Sequence, residues 1–277
     1  MARDTSFYYS FLVLPPEQRR AIVAVWDFCR AVDDAADEAA AGEGEREVRR
    51  WREELARCYD GVPETSQGRV LQPLIAPFHL PRPAFDALLE GVEMDLHPRR
   101  YATFDDLYQY CIRVASAVGL LCVEIFGCRD PQSRRYAIDL GVALQLTNIL
   151  RDVPGDFGRG RVYVPIEDFA RFGCTEADLR SEVERAGGGV GSPAVRELLA
   201  FQASRARHYY ARADAVLPRA DARRLVAARI MGAIYRGILT RIERAGFDVF
   251  SRVIRVPRPQ RALIAAGVWS RTLITGR

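Results

Sequence analysis

Two pairs of aspartates set the chemistry this chain can support. Asp33 and Asp37 lie four residues apart in Asp33-Asp34-Ala35-Ala36-Asp37-Glu38, and Asp152 and Asp156 repeat that spacing in Asp152-Val153-Pro154-Gly155-Asp156. Positions i and i+4 of an α-helix share a face one turn apart, so each pair aims two carboxylates in one direction. Like charges so placed cost a helix roughly 0.2–0.5 kcal/mol per pair. They also fall near helix C-terminal ends, where the macrodipole favours cations. Such an end is either a solvated acidic surface or a cation site. Mg²⁺ is the natural guest, since it uses few carboxylates and completes its shell from water and phosphate. If the two helices face each other, four carboxylates converge on a cluster of ions able to grip a diphosphate leaving group. Arg30, Arg151, Arg159 and Arg161 beside the pairs can neutralise the remaining phosphate charge. Trp26, Tyr110 and Phe126 either belong to an ordinary core or line an apolar cavity whose aromatic faces tolerate a carbocation.

The elements that must position these residues read as helices throughout. An aromatic-rich opening from Asp4 to Leu14 precedes Pro15-Pro16, which starts a helix as proline does in a first turn. Ile22, Val25, Trp26, Cys29, Val32 and Ala36 then follow a helical stripe until Gly42 and Gly44. Further helices are expected over Glu45–Tyr59, in kinked or short form over Val70–Phe78, from Pro83 through Met94, over Phe104–Phe126, and from Pro131 to about Arg151. Pro154-Gly155 should end or bend the last of these, because a proline ring clashes with the carbonyl four residues back. Asp156–Pro165 reads as a loop carrying Arg159, Arg161 and Tyr163. Short helices follow over Glu167–Phe172 and Glu176–Arg185, and Gly187-Gly188-Gly189 marks a mobile joint. Pro193–Val216, Ala220–Ile242 and a frayed basic tail complete the chain. No strand alternation or repeat is present, so the expectation is an all-α chain of one domain, residues 1–277.

Composition narrows the function classes. At 277 residues, 49% hydrophobic and 27% charged, the chain can bury a sizeable core as a soluble protein. A net charge of +4 is too weak to argue for nucleic acid. All 40 basic residues are arginine; a compositional bias accounts for this more simply than a function does. Six scattered cysteines without a C-x-x-C spacing point to reduced thiols in a cytoplasmic protein, and three isolated histidines give zinc no support. The N-terminus lacks a signal-peptide core. No apolar run approaches the ~20 residues that span a bilayer, and no amphipathic basic helix is clear enough to name.

Several longer motifs carry a resemblance. Ser6-Phe7-Tyr8-Tyr9-Ser10-Phe11, Phe28-Cys29-Arg30-Ala31-Val32-Asp33-Asp34 and Tyr110-Cys111-Ile112-Arg113-Val114-Ala115 occur in order. Val118-Gly119, Gln145-Leu146-Thr147-Asn148-Ile149-Leu150-Arg151-Asp152 and Gly160-Arg161-Val162-Tyr163-Val164-Pro165 follow. Together they resemble the squalene/phytoene synthase family over nearly the whole chain. The resemblance implies an α-helical isoprenoid-synthase bundle around a central cavity. It implies Asp33, Asp37, Asn148, Asp152 and Asp156 as metal-binding positions for a cluster of Mg²⁺. Ser6, Phe7, Trp26, Arg30, Gln145, Arg151, Tyr235 and Arg252 would contact the substrates, and Tyr110, Tyr163 and Arg161 would serve catalysis. Three departures stand out: Trp26 where the family often has tyrosine, Ser116 in place of a common glycine, and Pro154-Gly155 where a glutamate usually precedes the last aspartate.

The implied reaction is a head-to-head condensation of two prenyl diphosphates. Diphosphate leaves one donor, the double bond of the second attacks the carbocation, and loss of a proton closes a cyclopropane. Either released diphosphate or a tyrosine such as Tyr163 is the base. The wording, including Gly91-Val92-Glu93-Met94-Asp95-Leu96, looks most like bacterial presqualene diphosphate synthases of hopanoid pathways, which use two farnesyl diphosphates. A phytoene synthase using two geranylgeranyl diphosphates is the alternative. A family member that has lost catalysis and acts as an assembly partner is a third reading. No Gly-rich dinucleotide fingerprint is present, so NADPH is not expected. No protein partner is identifiable. Greasy substrates and products leave peripheral contact with the inner membrane surface as an expectation.

Overall fold

The computed structural model describes residues 6–38, 42–97, 99–185 and 189–275, with side chains except at 6–8 and 275. Ser6, Phe7 and the Gly187-Gly188 joint therefore lie outside what is described, the first two for their side chains. Thirteen α-helices are present among these residues, with no named strand. They are α1 (Ser6–Phe11), α2 (Pro16–Asp37), α3 (Gly44–Asp60), α4 (Ser66–Ile75), α5 (Arg82–Asp95), α6 (Phe104–Cys111) and α7 (Ala117–Ile125). There follow α8 (Gln132–Gly158), α9 (Ile166–Arg171), α10 (Glu176–Glu184), α11 (Pro193–Val216), α12 (Val226–Arg244) and α13 (Arg258–Thr275). A single π-helical segment, Ile112–Ser116, joins α6 to α7.

Helix α8 is the axle of the bundle and packs against α7, α11, α12 and the π segment. Helix α2 presents Ile22, Val25, Phe28, Cys29 and Val32 to the core, at the 3.6-residue period expected of one buried face. One fold departure bears on the acidic motif. Pro154 lies inside α8, which continues for one further turn to Gly158. Proline forfeits its own rung to Leu150, but the N–H groups after it still donate four residues back, so the helix continues past it. Asp156 is thus helical, not in a loop, and Asp152 and Asp156 do share a face. The region expected as a frayed tail is helix α13, whose Pro259 sits in the first turn, where its missing N–H costs nothing. The helix expected from Ala220 starts at Val226, after a 3₁₀ turn over Arg219–Asp221.

Helical chain from Phe104 to Ile125 is long and apolar enough to cross a membrane by length and composition, with mean hydropathy 1.2, contrary to the expectation of no such run. It packs inside the bundle against α5 and α8, as a core helix does. Its π segment lies where two backbones come closest. The Ser116 hydroxyl donates to the Ile138 carbonyl at 2.8 Å. A Cβ on Gly141 would lie 2.7–2.8 Å from Ser116 Cα, N and Oγ. Ser116 thus ties the two helices together, and the close approach depends on Gly141. Gly141→Ala is expected to lower stability by about 1–3 kcal/mol, read as a shift in urea midpoint at constant slope; an unchanged midpoint would show that the helices separate without cost.

Candidate active site

Three connected spaces run inward from the surface. The outer basin, about 670 Å³, is lined by Asp34, Asp37, Asp95, Arg159 and Arg161 among others. It shares Asp37, Asp95 and Arg161 with an inner cleft of about 260 Å³. Asp33, Val114 and Gln145 belong both to that cleft and to an apolar cavity of about 300 Å³. Ile22, Trp26, Phe126, Tyr136, Leu140, Leu144, Met231 and Tyr235 are among the walls of this cavity. Trp26 and Phe126 thus face a cavity, and Asp33 and Gln145 stand where charge gives way to hydrocarbon.

Arg161 holds the polar part together. Its Nη2 donates to Asp37 Oδ1 at 2.7 Å and to the Asp95 carbonyl at 3.2 Å, while its backbone N–H donates to the Asp156 carbonyl at 2.9 Å. Arg159 adds a 3.5 Å ion pair to Asp37. Arg151 grips Asp152 with Nε and Nη2 and, with Asn148, flanks the buried Tyr235 hydroxyl. Asp156 adjoins Arg161 and Tyr163 in a narrow gap. The four aspartates therefore form two pairs with Arg161 and Asp95 between them, not one cage. No group of three or more acidic, histidine or cysteine side chains suited to a metal ion occurs among the described residues.

Two further placements differ from what the resemblance implies. Arg30 is exposed and pairs with Asp34 at 3.2 Å, lining none of the three spaces. Arg252 lies in a separate surface groove with Arg241, Arg244 and Arg255, away from Tyr235. The i,i+4 spacing carries Arg30 to Asp34, and the turn after α12, with Gly246 and Phe247 both at positive φ, redirects the chain before Arg252.

Asp95, the last residue of α5, belongs to the Gly91–Leu96 motif, but without a partner acid at helical spacing nothing in the sequence marks it as a site residue. Tyr110 donates to its Oδ2 at 2.7 Å and Tyr163 to its Oδ1 at 2.8 Å. The two rings stack with centroids 5.0 Å apart and hydroxyls at 3.3 Å. Burial raises the Asp95 carboxyl despite both hydrogen bonds, and burial also raises both phenols. A carboxylate so poised accepts a proton more readily than one in water.

Crowding is strongest at the two inner carboxyls. Lost hydration, then Asp37, Asp95 and Asp34, push Asp33 up to about 7 against the opposing pull of Arg161. Lost hydration and Asp152 push Asp156 up to about 7 as well, with Asp95 adding to the rise and Arg161 and Arg159 opposing it. The Asn148 Oδ1 is buried without a hydrogen-bond partner. Carboxylates in pairs and an unsatisfied amide oxygen are donors of the kind magnesium takes, but here they do not converge, so water and a diphosphate would have to supply most of its ligands.

Because the folded chain binds protons at Asp33 and Asp156 that the unfolded chain releases above its carboxylate range, stability rises as pH falls through 7. Thermal midpoints without metal are therefore expected to climb from about pH 8 to about pH 6, and Mg²⁺ with inorganic diphosphate should raise the midpoint more at the higher pH. A midpoint that falls steadily over that interval would contradict the crowding. Asp95→Asn is expected to lower kcat by roughly 10²-fold or more while leaving the circular dichroism unchanged; turnover within about threefold of the parent would remove Asp95 from the chemistry.

Comparison with known proteins agrees with this geometry. Residues 1–261 match the family model of squalene/phytoene synthases. A 15-cis-phytoene synthase of Synechocystis is 36% identical over 284 residues, covering 97% of this chain and 82% of that protein. A presqualene diphosphate synthase of Rhodopseudomonas palustris is 39% identical over 249 residues, covering 89% and 86%. The crystal structure of a dehydrosqualene synthase superposes with a TM-score of 0.85 at 26% identity, covering 98% of this chain and 93% of that one. The all-α bundle with its acid-lined cleft is that of an isoprenoid synthase, and the chain belongs to the squalene/phytoene synthase family.

Proposed function

We propose that the protein joins two farnesyl diphosphates head to head to give presqualene diphosphate. The depth of the apolar cavity carries this reading. Its lining on α8 runs from Asn148 to Tyr136, about 18 Å at the helical rise. Phe126, Tyr136 and Leu225 stand at the end away from the aspartates. A farnesyl chain extends to roughly 15 Å and a geranylgeranyl chain to roughly 20 Å at ordinary carbon–carbon spacings. A lining of that length supports the shorter donor over the longer one, whose end would reach Phe126 and Tyr136.

The chain's own residues divide the work. Arg151, Arg159 and Arg161 hold the diphosphate oxygens through paired N–H donors. Asp33 and Asp37 on one wall, with Asn148, Asp152 and Asp156 on the other, would hold magnesium, which when bound supplies charge neutralisation to the departing diphosphate. The apolar walls keep water from the allylic cation, and the face of Trp26 favours positive charge. The double bond of the second donor forms the new carbon–carbon bond. Tyr163 Oη takes the proton whose loss closes the cyclopropane as it passes its own to Asp95 Oδ1. Two prenyl diphosphates thus yield one cyclopropyl diphosphate, one diphosphate and one proton.

The phytoene synthase reading is favoured by the Synechocystis relative, which matches this chain over nearly its full length. Incubation with Mg²⁺ and each donor separately, without nicotinamide, followed by mass analysis, distinguishes the readings. A thirty-carbon cyclopropyl diphosphate from farnesyl diphosphate is expected. A forty-carbon product from the longer donor alone would replace that reading, and consumption of neither would point to a non-catalytic binding partner.

A further inference from the structure

Charge is unevenly spread along this chain. All 36 acidic residues lie at or before Asp248, whereas Arg252, Arg255, Arg258, Arg261, Arg271 and Arg277 follow it. The stretch after Asp248 thus carries +6 and the rest of the chain a net −2, which together make the +4 of the whole.

The structure gives that stretch a shape. Helix α13 docks on α12 through one stripe: Arg261, Ala265 and Thr272 are buried. Arg229 Nη1 donates to Thr272 Oγ1 at 2.8 Å, and Arg261 Nε donates to the Val256 carbonyl at 2.9 Å. The opposite face holds Leu263, Ala266, Gly267, Ser270 and Ile274, with Trp269 and Leu273 on its flank, and no charged side chain interrupts it. Leu263 is 71% exposed, Trp269 44%, Leu273 50% and Ile274 83%. Single exposed apolar residues need no explanation, but four on one helix, with Val253 (56%) just before it, form a patch.

At the start of α13 this patch meets a groove of about 450 Å³, lined by Arg241, Arg244, Arg252 and Arg255 with Val253 and Ile254. Arg241 bonds to Gln260 in the first turn of α13, so groove and helix adjoin. Among the described residues none of these four arginines is ion-paired with a carboxylate, whereas those of the catalytic cleft are.

We propose that this face docks on an anionic lipid surface. Helix α13 lies in the headgroup layer with Leu263, Trp269, Leu273 and Ile274 among the acyl chains, and the groove arginines take the lipid phosphates. An apolar helical face bearing tryptophan and leucine, bordered by arginine and free of acids, is the make-up of an interfacial helix. Guanidinium forks match phosphate oxygens in pairs. A second copy of this chain meeting the same face about a two-fold axis would set one basic groove against another, which disfavours self-association there. The inference does not depend on which prenyl donor the cleft accepts.

Sedimentation of the full chain with phosphatidylcholine vesicles, with and without phosphatidylglycerol, tests it. Binding is expected only to the anionic vesicles, weakened by salt and accompanied by a blue shift of tryptophan emission. Arg244→Gln with Arg255→Gln should weaken partitioning roughly fivefold per arginine removed. Leu263→Ser with Leu273→Ser and Ile274→Ser should abolish it, while both variants keep the parent's melting midpoint and turnover on dispersed substrate. Absence of binding to either vesicle would overturn the proposal, as would equal binding to both. A concentration-dependent dimer abolished by the serine variant, without vesicle binding, would assign the face to a second copy instead.

Discussion

Arg161 is the constraint on which the rest of the site depends. Its guanidinium, 19% exposed, bonds to α2 through Asp37 and to the end of α5 through the Asp95 carbonyl, and its own N–H is tied to the last turn of α8. The loop that carries it is pinned on its far side by Tyr163, which donates to Asp95, and by the bridge between Val162 and Arg100. Carboxylates from three helices therefore surround one fixed cation. Like charges brought together without such a neighbour repel more strongly as water is removed. Arg161 lets the acidic walls approach while leaving Asp33 and Asp156 far enough from it that both stay pushed up to about 7. In the proposed function, a cation bound with diphosphate would relieve that repulsion.

The bundle also solves a partition problem with single helices. On α2, Ile22 and Trp26 face the apolar cavity and Asp33 its polar limit, all within one stripe. On α8, Tyr136, Ala137, Leu140, Gly141 and Leu144 give way to Gln145 and Asn148 along the same face. Each helix is therefore wall for a hydrocarbon chain along its stem and donor for a charged head near its C-terminal end. In the proposed reaction, ionisation at that boundary would leave the head among charges and the nascent cation among apolar and aromatic groups. Close packing between α8 and the π segment, through Ser116 and Gly141, fixes the height at which Val114 and Gln145 meet that boundary.

What the sequence made legible was whatever repeats at helical period or stands in a long motif. The paired aspartates, Gln145, Asn148, Arg151 and Arg161 are of this kind; Asp33, Asp37, Gln145, Asn148 and Arg161 line the three spaces, whereas Asp156 lines the narrow gap beside Tyr163, and Arg151 and Asp152 pair with each other outside those linings. Asp95 has no helical partner, and its role arises from a tertiary meeting with Tyr110 and Tyr163 that no local spacing encodes. The resemblance implies Arg252 beside Tyr235 at the substrates, yet after the turn at Gly246-Phe247 it lines a different groove. Pro154 reads as a helix end, yet it removes only its own rung while the N–H groups after it still donate four residues back, so α8 runs on to Gly158.

The altered second acidic motif can be understood in the same terms. With α8 continuing through Pro154, Asp152 and Asp156 occupy i and i+4 of one helix, and Gly155 lies between them with nothing within 4 Å of where a Cβ would be. The missing acid is thus not a matter of space. Arg151 already compensates Asp152, whereas Asp156 already feels both Asp152 and Asp95. A further carboxylate at position 155 would add like charge beside the group least able to bear it, without a guanidinium of its own. The Pro154-Gly155 pair carries one negative charge fewer than the family's usual motif and keeps the two aspartates on one helical face, the arrangement that the proposed function uses.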